Sequence, residues 1–316
     1  MKDIFDRVDF ILLKTPDPNF FYFTKVEGAW EGSYAIVFSD AIEIIAPPLE
    51  RGKANFYKSR EEMERLLGDI ARGEKIGFNA SSLSIADHRH LKKLLGGKWI
   101  DVGKELSEMR LVKGREEITL IKKACRETER IIHNIPMEGK KEVEVAAEIE
   151  YEMRRRGMKP AFDTIVAFGK NTAFPHHIPG RKEHVMPVIV DAGAKYRNYC
   201  SDITKSFVGR KGKGIYELVE HALGIALDEM REGVKASYVV KKVEDFFKKH
   251  GYGMRHALGH SIGIEVHDGF SLTPKSDFVL KENMVFAVEP AIYENSMGVR
   301  IEKDVIVKKN GVEIIR

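Results

Sequence analysis

Acidic side chains that interrupt apolar strands constrain this chain more than any other feature of its sequence. Asp191 follows Val188-Ile189-Val190, and Glu289 ends the apolar run that begins at Val285. An ionised carboxylate in such a strand costs several kcal/mol unless a base or a cation compensates its charge. A single acid of this kind is most often a salt-bridge partner or a helix cap. Four of them together with one glycine-flanked histidine indicate a cation site, formed by Asp191, Asp202, His260, Glu289 and Glu302.

The four acids fall into two strand–turn–strand segments of similar spacing. Asp191 and Asp202 are 11 residues apart, and Glu289 and Glu302 are 13 apart. Each pair is separated by a short polar turn, predicted at residues 195–198 and 294–298. If the two hairpins face each other, the four carboxylates converge on one point. A shift of one residue in either register would turn an acid to the opposite face, so the spacing is under geometric control.

The donor set favours borderline and hard cations. Oxygen donors with one imidazole suit Mn, Fe, Co or Zn, and Cys200, two residues before Asp202, is interpreted as a small buried hydrophobe instead of a ligand. Bridging carboxylates can hold two metals about 3.5–4 Å apart, which activate a water molecule and polarise a carbonyl. The sequence therefore predicts a two-metal enzyme.

Two further histidines are candidates for contact with a substrate. His260 lies in a Gly-His-Ser-Ile-Gly run, and His267 follows seven residues later. His176 lies in Phe174-Pro175-His176-His177. An imidazole beside the metal site would hydrogen-bond a substrate carbonyl or a developing oxyanion. The alternative for His176 and His267, an ordinary core or surface histidine, remains open at this point.

Length and composition limit the class of protein. The 316 residues are enough for two domains, and 43% hydrophobic with 32% charged residues is typical of a globular protein. No apolar run approaches the roughly 18 residues of a membrane span, so no membrane association is expected. A net charge of +4 with mixed signs argues against a nucleic-acid-binding surface.

Residue usage suggests a compartment and a habitat. The start, Met1 to Phe5, lacks the pattern of a signal peptide, and only Cys125 and Cys200 are present, so a cytoplasmic location is expected. Glutamine is absent while lysine and glutamate are abundant, which is typical of thermophilic proteins.

Hydrophobic periodicity divides the chain near residue 108. Residues 1–108 predict a small α/β unit without candidate ligands, and residues 109–316 predict the catalytic part. The first unit has strands predicted at 10–13, 34–38, 41–46, 75–78 and 99–102, with helices at 61–71 and 84–95. The second has amphipathic helices at 118–132, 143–153, 216–231 and 237–249, with strands at 164–168, 185–191, 285–292 and 299–307.

The motifs around the candidate ligands resemble the creatinase, prolidase and methionine aminopeptidase group of metallopeptidases. The resemblance extends from about Arg110 to Val307 and includes the five ligands in order with their flanks. Examples of these flanks are Asp191-Ala192-Gly193, Glu289-Pro290-Ala291-Ile292-Tyr293 and Gly298-Val299-Arg300-Ile301-Glu302. It implies an α+β protein with a C-terminal pita-bread catalytic domain at 109–316 and a smaller N-terminal α/β domain at 1–108.

The resemblance also implies roles for the site residues. It implies that two divalent metal ions (Mn, Co, Zn or Fe) are bound by Asp191, Asp202, His260, Glu289 and Glu302. By position, His176 and His267 resemble histidines that face the substrate, and Glu289 resembles the carboxylate that handles the proton of the attacking water.

The short first domain is similar to that of archaeal and bacterial prolidases, which implies hydrolysis of Xaa-Pro dipeptides and a homodimer. Aminopeptidase P activity on longer peptides and a dipeptidase without proline preference are the alternatives among enzymes. A catalytically silent peptide- or protein-binding homologue is the alternative from another class, but such homologues typically lose ligands. Departures from the family pattern concern the substrate: Asp268 follows His267 where many members have Glu, and Gly269 to Leu272 contain no base.

Overall fold

The computed structural model describes residues 2–294 and 296–316. The chain divides into two compact units, Met1–Arg110 and Leu111–Arg316. The boundary expected between residues 108 and 109 lies close to this division, and as a statement about independent domains it stays a prediction. Asn295, which falls in the predicted turn at 294–298, lies outside the described residues. Among the described helices, none combines the length and the apolar character needed to span a bilayer.

The first unit is a six-stranded mixed sheet in the order β4-β3-β2-β1-β5-β6. Its strands are β1 (Phe10–Lys14), β2 (Tyr34–Val37), β3 (Ile42–Ala46), β4 (Asn55–Phe56), β5 (Lys75–Phe78) and β6 (Lys98–Asp101). Its helices are α1 (Lys2–Phe5), α2 (Pro18–Thr24), α3 (Arg60–Ile70), α4 (Ile85–Leu95) and α5 (Gly103–Leu111), the last of which ends at the division. All the strands and both helices predicted for this unit are confirmed within a residue or two.

Alternation along the central strand explains why this sheet has a core on each face. In β1, Phe10 and Leu12 belong to one hydrophobic cluster, whereas Ile11 and Leu13 belong to another. All four side chains are almost completely buried. Since successive side chains of a strand point to opposite faces, both faces of the sheet are covered. The short α2, which hydrophobic periodicity did not predict, is capped by Asp17, whose side chain accepts a hydrogen bond from the Asn19 amide.

The described part of the second unit contains four long helices and several small sheets. The helices are α6 (Arg115–Asn134), α7 (Glu142–Arg155), α8 (Lys213–Glu229) and α9 (Ala236–Lys249), with short 3-10 helices at Gly169–Ala173 and Arg210–Gly212. The strands are β7 (Lys159–Pro160), β8 (Ile165–Phe168), β9 (Val188–Ala192), β10 (Ala194–Tyr196), β11 (Tyr199–Cys200), β12 (Ile203–Phe207), β13 (Gly259–Ser261), β14 (Ser271–Leu272), β15 (Val285–Val288), β16 (Ala291–Tyr293), β17 (Gly298–Arg300), β18 (Lys303–Lys308) and β19 (Gly311–Ile314).

Two sheets and a hairpin carry the candidate ligands. A three-stranded sheet has the order β12-β9-β8, a five-stranded sheet has the order β14-β13-β15-β18-β19, and β16 pairs with β17. Buried side chains of α8 and α9, such as Val219 and Phe247, share one hydrophobic cluster with Phe286 and Val305 of the five-stranded sheet. This apolar support holds the strands that bear His260 and the C-terminal acids.

The first predicted hairpin is confirmed, and its turn shows why the register is fixed. Tyr196 of β10 pairs with Tyr199 of β11, so the connection contains only Arg197 and Asn198. Both residues have positive φ angles, 45° and 69°, as a two-residue turn between twisted strands requires. Farther along, Asp191 in β9 pairs with Thr204 in β12.

The second hairpin differs from the prediction in its strand boundaries. The strand expected at 285–292 is two strands, β15 and β16, separated at Glu289-Pro290. The strand expected at 299–307 is likewise two, β17 and β18, separated at Ile301-Glu302. Pro290 has no amide hydrogen and cannot continue a ladder of hydrogen bonds, which explains the first break. Both acids therefore lie where a strand changes partner, not inside a continuous strand.

Candidate metal centre and substrate cavity

All seven residues that the sequence analysis selected line one cavity of about 640 Å³ in the second unit. They are His176, Asp191, Asp202, His260, His267, Glu289 and Glu302. Residues that the sequence analysis did not select as functional line it as well, and among these are His177, His256 and Arg300. The cavity combines a polar cluster with apolar wall residues such as Phe162, Ile165 and Ile178.

The buried end of this cluster has the geometry of a cation site. Ligand atoms of Asp202, His260 and Glu302 all lie within 4.8 Å of one another. His260 Nε2 is 3.5 Å from Asp202 Oδ2 and 3.8 Å from Glu289 Oε1. Asp202, His260 and Glu302 are buried, so water cannot screen the carboxylates from one another.

The raised pKa values of these carboxyl groups reflect how unfavourable their negative charges are without a cation. Burial raises the pKa of Asp202 and of Glu302 well above the usual range, and neighbouring acids add to the effect. Burial raises the pKa of Glu289 to about 8, although Arg300 opposes this shift. A cation would favour the ionised forms of all three, because binding to deprotonated ligands displaces their protons.

Asp191 is shared between a buried arginine and the cluster. Arg300 Nη2 donates to Asp191 Oδ2 at 2.6 Å, and both side chains are almost fully buried. The other oxygen, Oδ1, is buried and has no hydrogen-bond partner among the described residues. An unsatisfied buried carboxylate oxygen is unfavourable, so this atom fits a metal ligand whose cation supplies the missing partner.

Arg300 itself is held from several sides. Its Nε donates to Thr204 Oγ1 at 3.0 Å, and its Nη1 donates to the Tyr293 hydroxyl at 2.5 Å and to the Pro175 carbonyl at 3.3 Å. Thr204 Oγ1 in turn donates to Glu302 Oε2 at 2.8 Å. These bonds fix the orientation of two candidate ligands at once.

Asp304 holds the backbone of the candidate ligand Asp202. Its Oδ2 accepts from the backbone amide of Asp202 at 2.9 Å and from the Cys125 thiol at 3.0 Å. Burial raises the pKa of Asp304 to about 7. Cys200 is also buried, and its Sγ lies 3.4 Å from the Ile264 carbonyl, as expected for a small core residue.

Burial favours the neutral form of three cavity histidines, His256, His260 and His267. Burial lowers the pKa of His260 to about 4 and also lowers the pKa of His267 and of His256. The His260 and His267 rings are stacked with their centroids 4.0 Å apart. His256 Nε2 lies 3.2 Å from the Tyr293 hydroxyl, and His176 is exposed on the cavity wall. The neutral imidazole is the form that binds a metal.

A buried cluster of acids and one histidine, carried on small sheets and opening into a cavity, is typical of a metal-dependent hydrolase. Comparison with known proteins makes the assignment specific. The model of metallopeptidase family M24 matches residues 119–309, and the chain belongs to this family. The resemblance and the α+β fold class inferred from the sequence are thereby confirmed, and the family implies a divalent metal cofactor.

Relatives match over most of the chain. The Xaa-Pro dipeptidase of Pyrococcus horikoshii is 34% identical over 97% of this chain and 92% of its own length. An uncharacterized peptidase of Methanocaldococcus jannaschii is 40% identical over 81% of this chain and 74% of its own length.

Solved structures also superpose on nearly the whole chain. The prolidase from Pyrococcus horikoshii superposes with a TM-score of 0.90 at 31% identity, over 99% of this chain and 95% of that chain. The X-Pro aminopeptidase from Thermotoga maritima superposes with a TM-score of 0.87 at 30% identity, over 98% of this chain and 95% of that chain.

Proposed function

We propose that this chain is a metal-dependent exopeptidase that hydrolyses Xaa-Pro dipeptides. The observation that carries the proposal is the convergence of five candidate ligands and two histidines on one cavity of a family M24 fold. The similarity to proteins named Xaa-Pro dipeptidase and prolidase supports the substrate class.

In this proposal, two divalent metal ions are held by the five candidate ligands, which are Asp191, Asp202, His260, Glu289 and Glu302. The unsatisfied Oδ1 of Asp191 and the raised pKa values of Asp202 and Glu302 support a donor set that fits cations. When bound, such ions activate water and polarise the scissile carbonyl. The metals are Mn, Co, Zn or Fe, because oxygen donors with one imidazole suit these ions.

The remaining chemistry is assigned to side chains of the cavity. Glu289 is the least buried of the four acids, so it is placed to take a proton from the attacking water and pass it to the leaving nitrogen. His267, stacked on His260, and His176, on the cavity wall, hydrogen-bond the substrate and the developing oxyanion. Arg300 holds Asp191 in place and limits repulsion among the acids.

Substitution of single ligands tests this assignment. We expect Asp202→Ala and Glu302→Ala to lose metal and at least about 10³-fold in activity, because each removes a buried donor from the cluster. Asp228→Ala, which removes an exposed acid of α8, is the matched control and should keep both. Metal content by elemental analysis and hydrolysis of an Xaa-Pro dipeptide are the measurements. Full activity of either ligand variant would contradict the two-metal proposal.

A second candidate is Xaa-Pro aminopeptidase activity on longer peptides. Among the described residues that line the cavity, Arg300 is the one guanidinium or ammonium group, and it is bound to Asp191. A dipeptide would thus find no free Arg or Lys for its terminal carboxylate. One assay with Co²⁺ or Mn²⁺ distinguishes the dipeptidase from the aminopeptidase. It compares the hydrolysis of an Xaa-Pro dipeptide, an Xaa-Pro-Yaa tripeptide and a dipeptide without proline. Cleavage of the tripeptide alone would exclude the dipeptidase.

A homodimer and a cytoplasmic location are also part of the proposal. The first unit exposes apolar side chains at or near its edge strands, among them Ile42 and Phe56, as a surface for a second copy requires. Both cysteines are buried and unpaired, which fits a reducing compartment. Light scattering at micromolar concentration tests the dimer, and a monomeric mass would contradict it.

A further inference from the structure

Glu142 is a completely buried carboxylate that the sequence analysis did not single out. It is the first residue of α7, and its side chain has no exposed surface. Oε1 accepts from the Phe168 amide and from Asn171 Nδ2, both at 2.7 Å. Oε2 accepts from the Gly180 amide at 3.0 Å and lies 2.9 Å from His177 Nε2. One carboxylate thus connects donors spread along residues 168–180.

The segment that Glu142 holds forms one wall of the substrate cavity. Residues 175–179 all line the cavity, including His176 and His177. Backbone bonds add to the attachment, because the Glu142 amide donates to the Lys182 carbonyl and the Val143 amide donates to the Gly180 carbonyl, both at 3.0 Å. The start of α7 is therefore joined to this wall at several points.

The negative charge of Glu142 determines that the ring nitrogen of His177 facing it carries a hydrogen. Burial alone would raise the pKa of Glu142, but the hydrogen bonds from His177, Phe168 and Asn171 outweigh it and lower the pKa below its usual value. An ionised carboxylate only accepts hydrogen bonds, so His177 Nε2 carries the hydrogen that lies between them. The bond fixes the tautomer and the ring orientation of His177 at the cavity surface.

We propose that Glu142 is a positioning residue for the substrate wall, and that it acts by holding His176 and His177 in place. The proposal rests on the peptidase function proposed above, because the wall belongs to the same cavity. None of the hydrogen bonds described for Glu142 reaches a candidate metal ligand. Loss of its charge should therefore affect substrate binding and leave metal loading unchanged.

Glu142→Gln is the first test, because it keeps the shape of the side chain but replaces one acceptor oxygen by a donor. We expect kcat/KM for the Xaa-Pro dipeptide to fall about 10- to 100-fold, with KM rising about tenfold, since small displacements of substrate-facing groups have effects of this order. Metal content should equal that of the wild type. Glu144→Gln, an exposed acid two residues along α7, is the matched control and should change neither.

Hydrogen exchange gives a readout that is independent of activity. The Phe168 and Gly180 amides donate to Glu142, so they should exchange faster in Glu142→Gln than in Glu144→Gln. A merely structural role would lower the folded fraction, which reduces apparent kcat but leaves KM unchanged. An unchanged KM, or unchanged exchange at both amides, would overturn the proposal.

His177→Ala provides a second variant in case Glu142→Gln folds poorly. His177 is partly exposed at the cavity, so its removal leaves no buried cavity behind. If Glu142 acts partly through His177, the effects of the two substitutions on KM are less than additive in the double variant. Full additivity would overturn this coupling. A wild type that cleaves none of the three peptides contradicts the proposed function, and hydrogen exchange then still decides whether Glu142 holds the wall.

Discussion

Arg300 shows how a single residue balances the charge of the candidate metal centre. It is almost fully buried and pairs with Asp191 at 2.6 Å, while Thr204 and Tyr293 bind its other nitrogens. Neighbouring acids raise its pKa despite burial, so it stays charged. A permanent positive charge beside four acids reduces their mutual repulsion, and the cluster still has an excess of carboxylates that requires cations.

Removal of this arginine should therefore destabilise the metal-free protein more than the metal-bound protein. Arg300→Met leaves Asp191 as an uncompensated buried acid, and we expect a loss of about 3–5 kcal/mol in the free energy of unfolding. Bound metal should reduce the loss, because a cation replaces the missing charge. Urea unfolding with EDTA and with Mn²⁺ measures the difference, and Arg255→Met, an exposed base, is the control. An equal loss in both conditions would show that Arg300 does not balance the metal ligands.

Some residues of the site could be predicted from the sequence, and others could not. The five candidate ligands stood out because acids and a histidine interrupt apolar or glycine-rich runs. Arg300 precedes Glu302 by two residues in a strand-like run, and this alternation could have indicated a buried base. Glu142 lies in a run of charged residues that resembles any solvated surface, and His256 follows a segment, 251–255, that has no periodic pattern. Their burial depends on tertiary contacts, which no local pattern encodes.

At the level of elements, strand breaks determine where the ligands point. Glu289 lies between β15 and β16, Glu302 lies between β17 and β18, and Asp202 directly precedes β12. The Glu302 amide donates to the Thr204 carbonyl at 3.1 Å, which joins the second hairpin to the first. The sequence predicted strands here but merged them, because periodicity detects apolar runs and does not detect a change of partner.

The close approach of β13 and β15 gives a prediction about one glycine. A β-carbon at Gly259 would lie 2.0 Å from the Ala287 carbonyl oxygen, so Gly259→Ala must separate the strands and displace the neighbouring His260. We expect metal affinity to fall at least about tenfold, because ligand geometry is lost. Gly224→Ala in α8 meets open space and should stabilise the protein by about 0.5–1 kcal/mol. Metal titration and thermal unfolding of both variants check these opposite effects, and unchanged affinity in Gly259→Ala would contradict the geometry.

For the whole molecule, the fold class and the order of elements followed from the sequence more reliably than the connections between strands. Long amphipathic helices such as α6 and α9 were identified because one face is continuously apolar. The two-residue strands β4 and β7 were not, since so few residues carry no periodicity. Convergence of the two hairpins depends on long-range strand pairing, which local patterns do not encode. The spacing of the four acids only suggested that they meet at one site, and the resemblance to a metallopeptidase family supported this.

The buried acids also couple the stability of the whole protein to pH and to metal. With no cation bound, the folded pKa of Glu289 is about 8 and that of Asp304 about 7, whereas both are near 4 in an unfolded chain. Between pH 6.5 and 8 these two carboxyl groups therefore bind more protons in the folded protein than in the unfolded chain. Stability contributed by these protonated groups is lost as pH rises through the folded pKa.

We accordingly expect the linkage of these two acids to remove about 2 kcal/mol of stability from the metal-free protein between pH 6.5 and 8, with a net loss of at least about 1 kcal/mol once histidine titration in the unfolded chain is included. His256, His260 and His267 oppose part of this trend, because their lowered pKa values mean that the unfolded chain binds more protons at these groups near pH 6.5 than the folded protein does. Bound Mn²⁺ should displace the protons of the ligand acids, which reduces the loss of stability with pH and releases protons on binding. Urea midpoints in EDTA and in Mn²⁺, with calorimetry in buffers of different ionisation enthalpy, measure both effects. Stability that rises with pH in EDTA would show that these carboxyl groups are already ionised without metal.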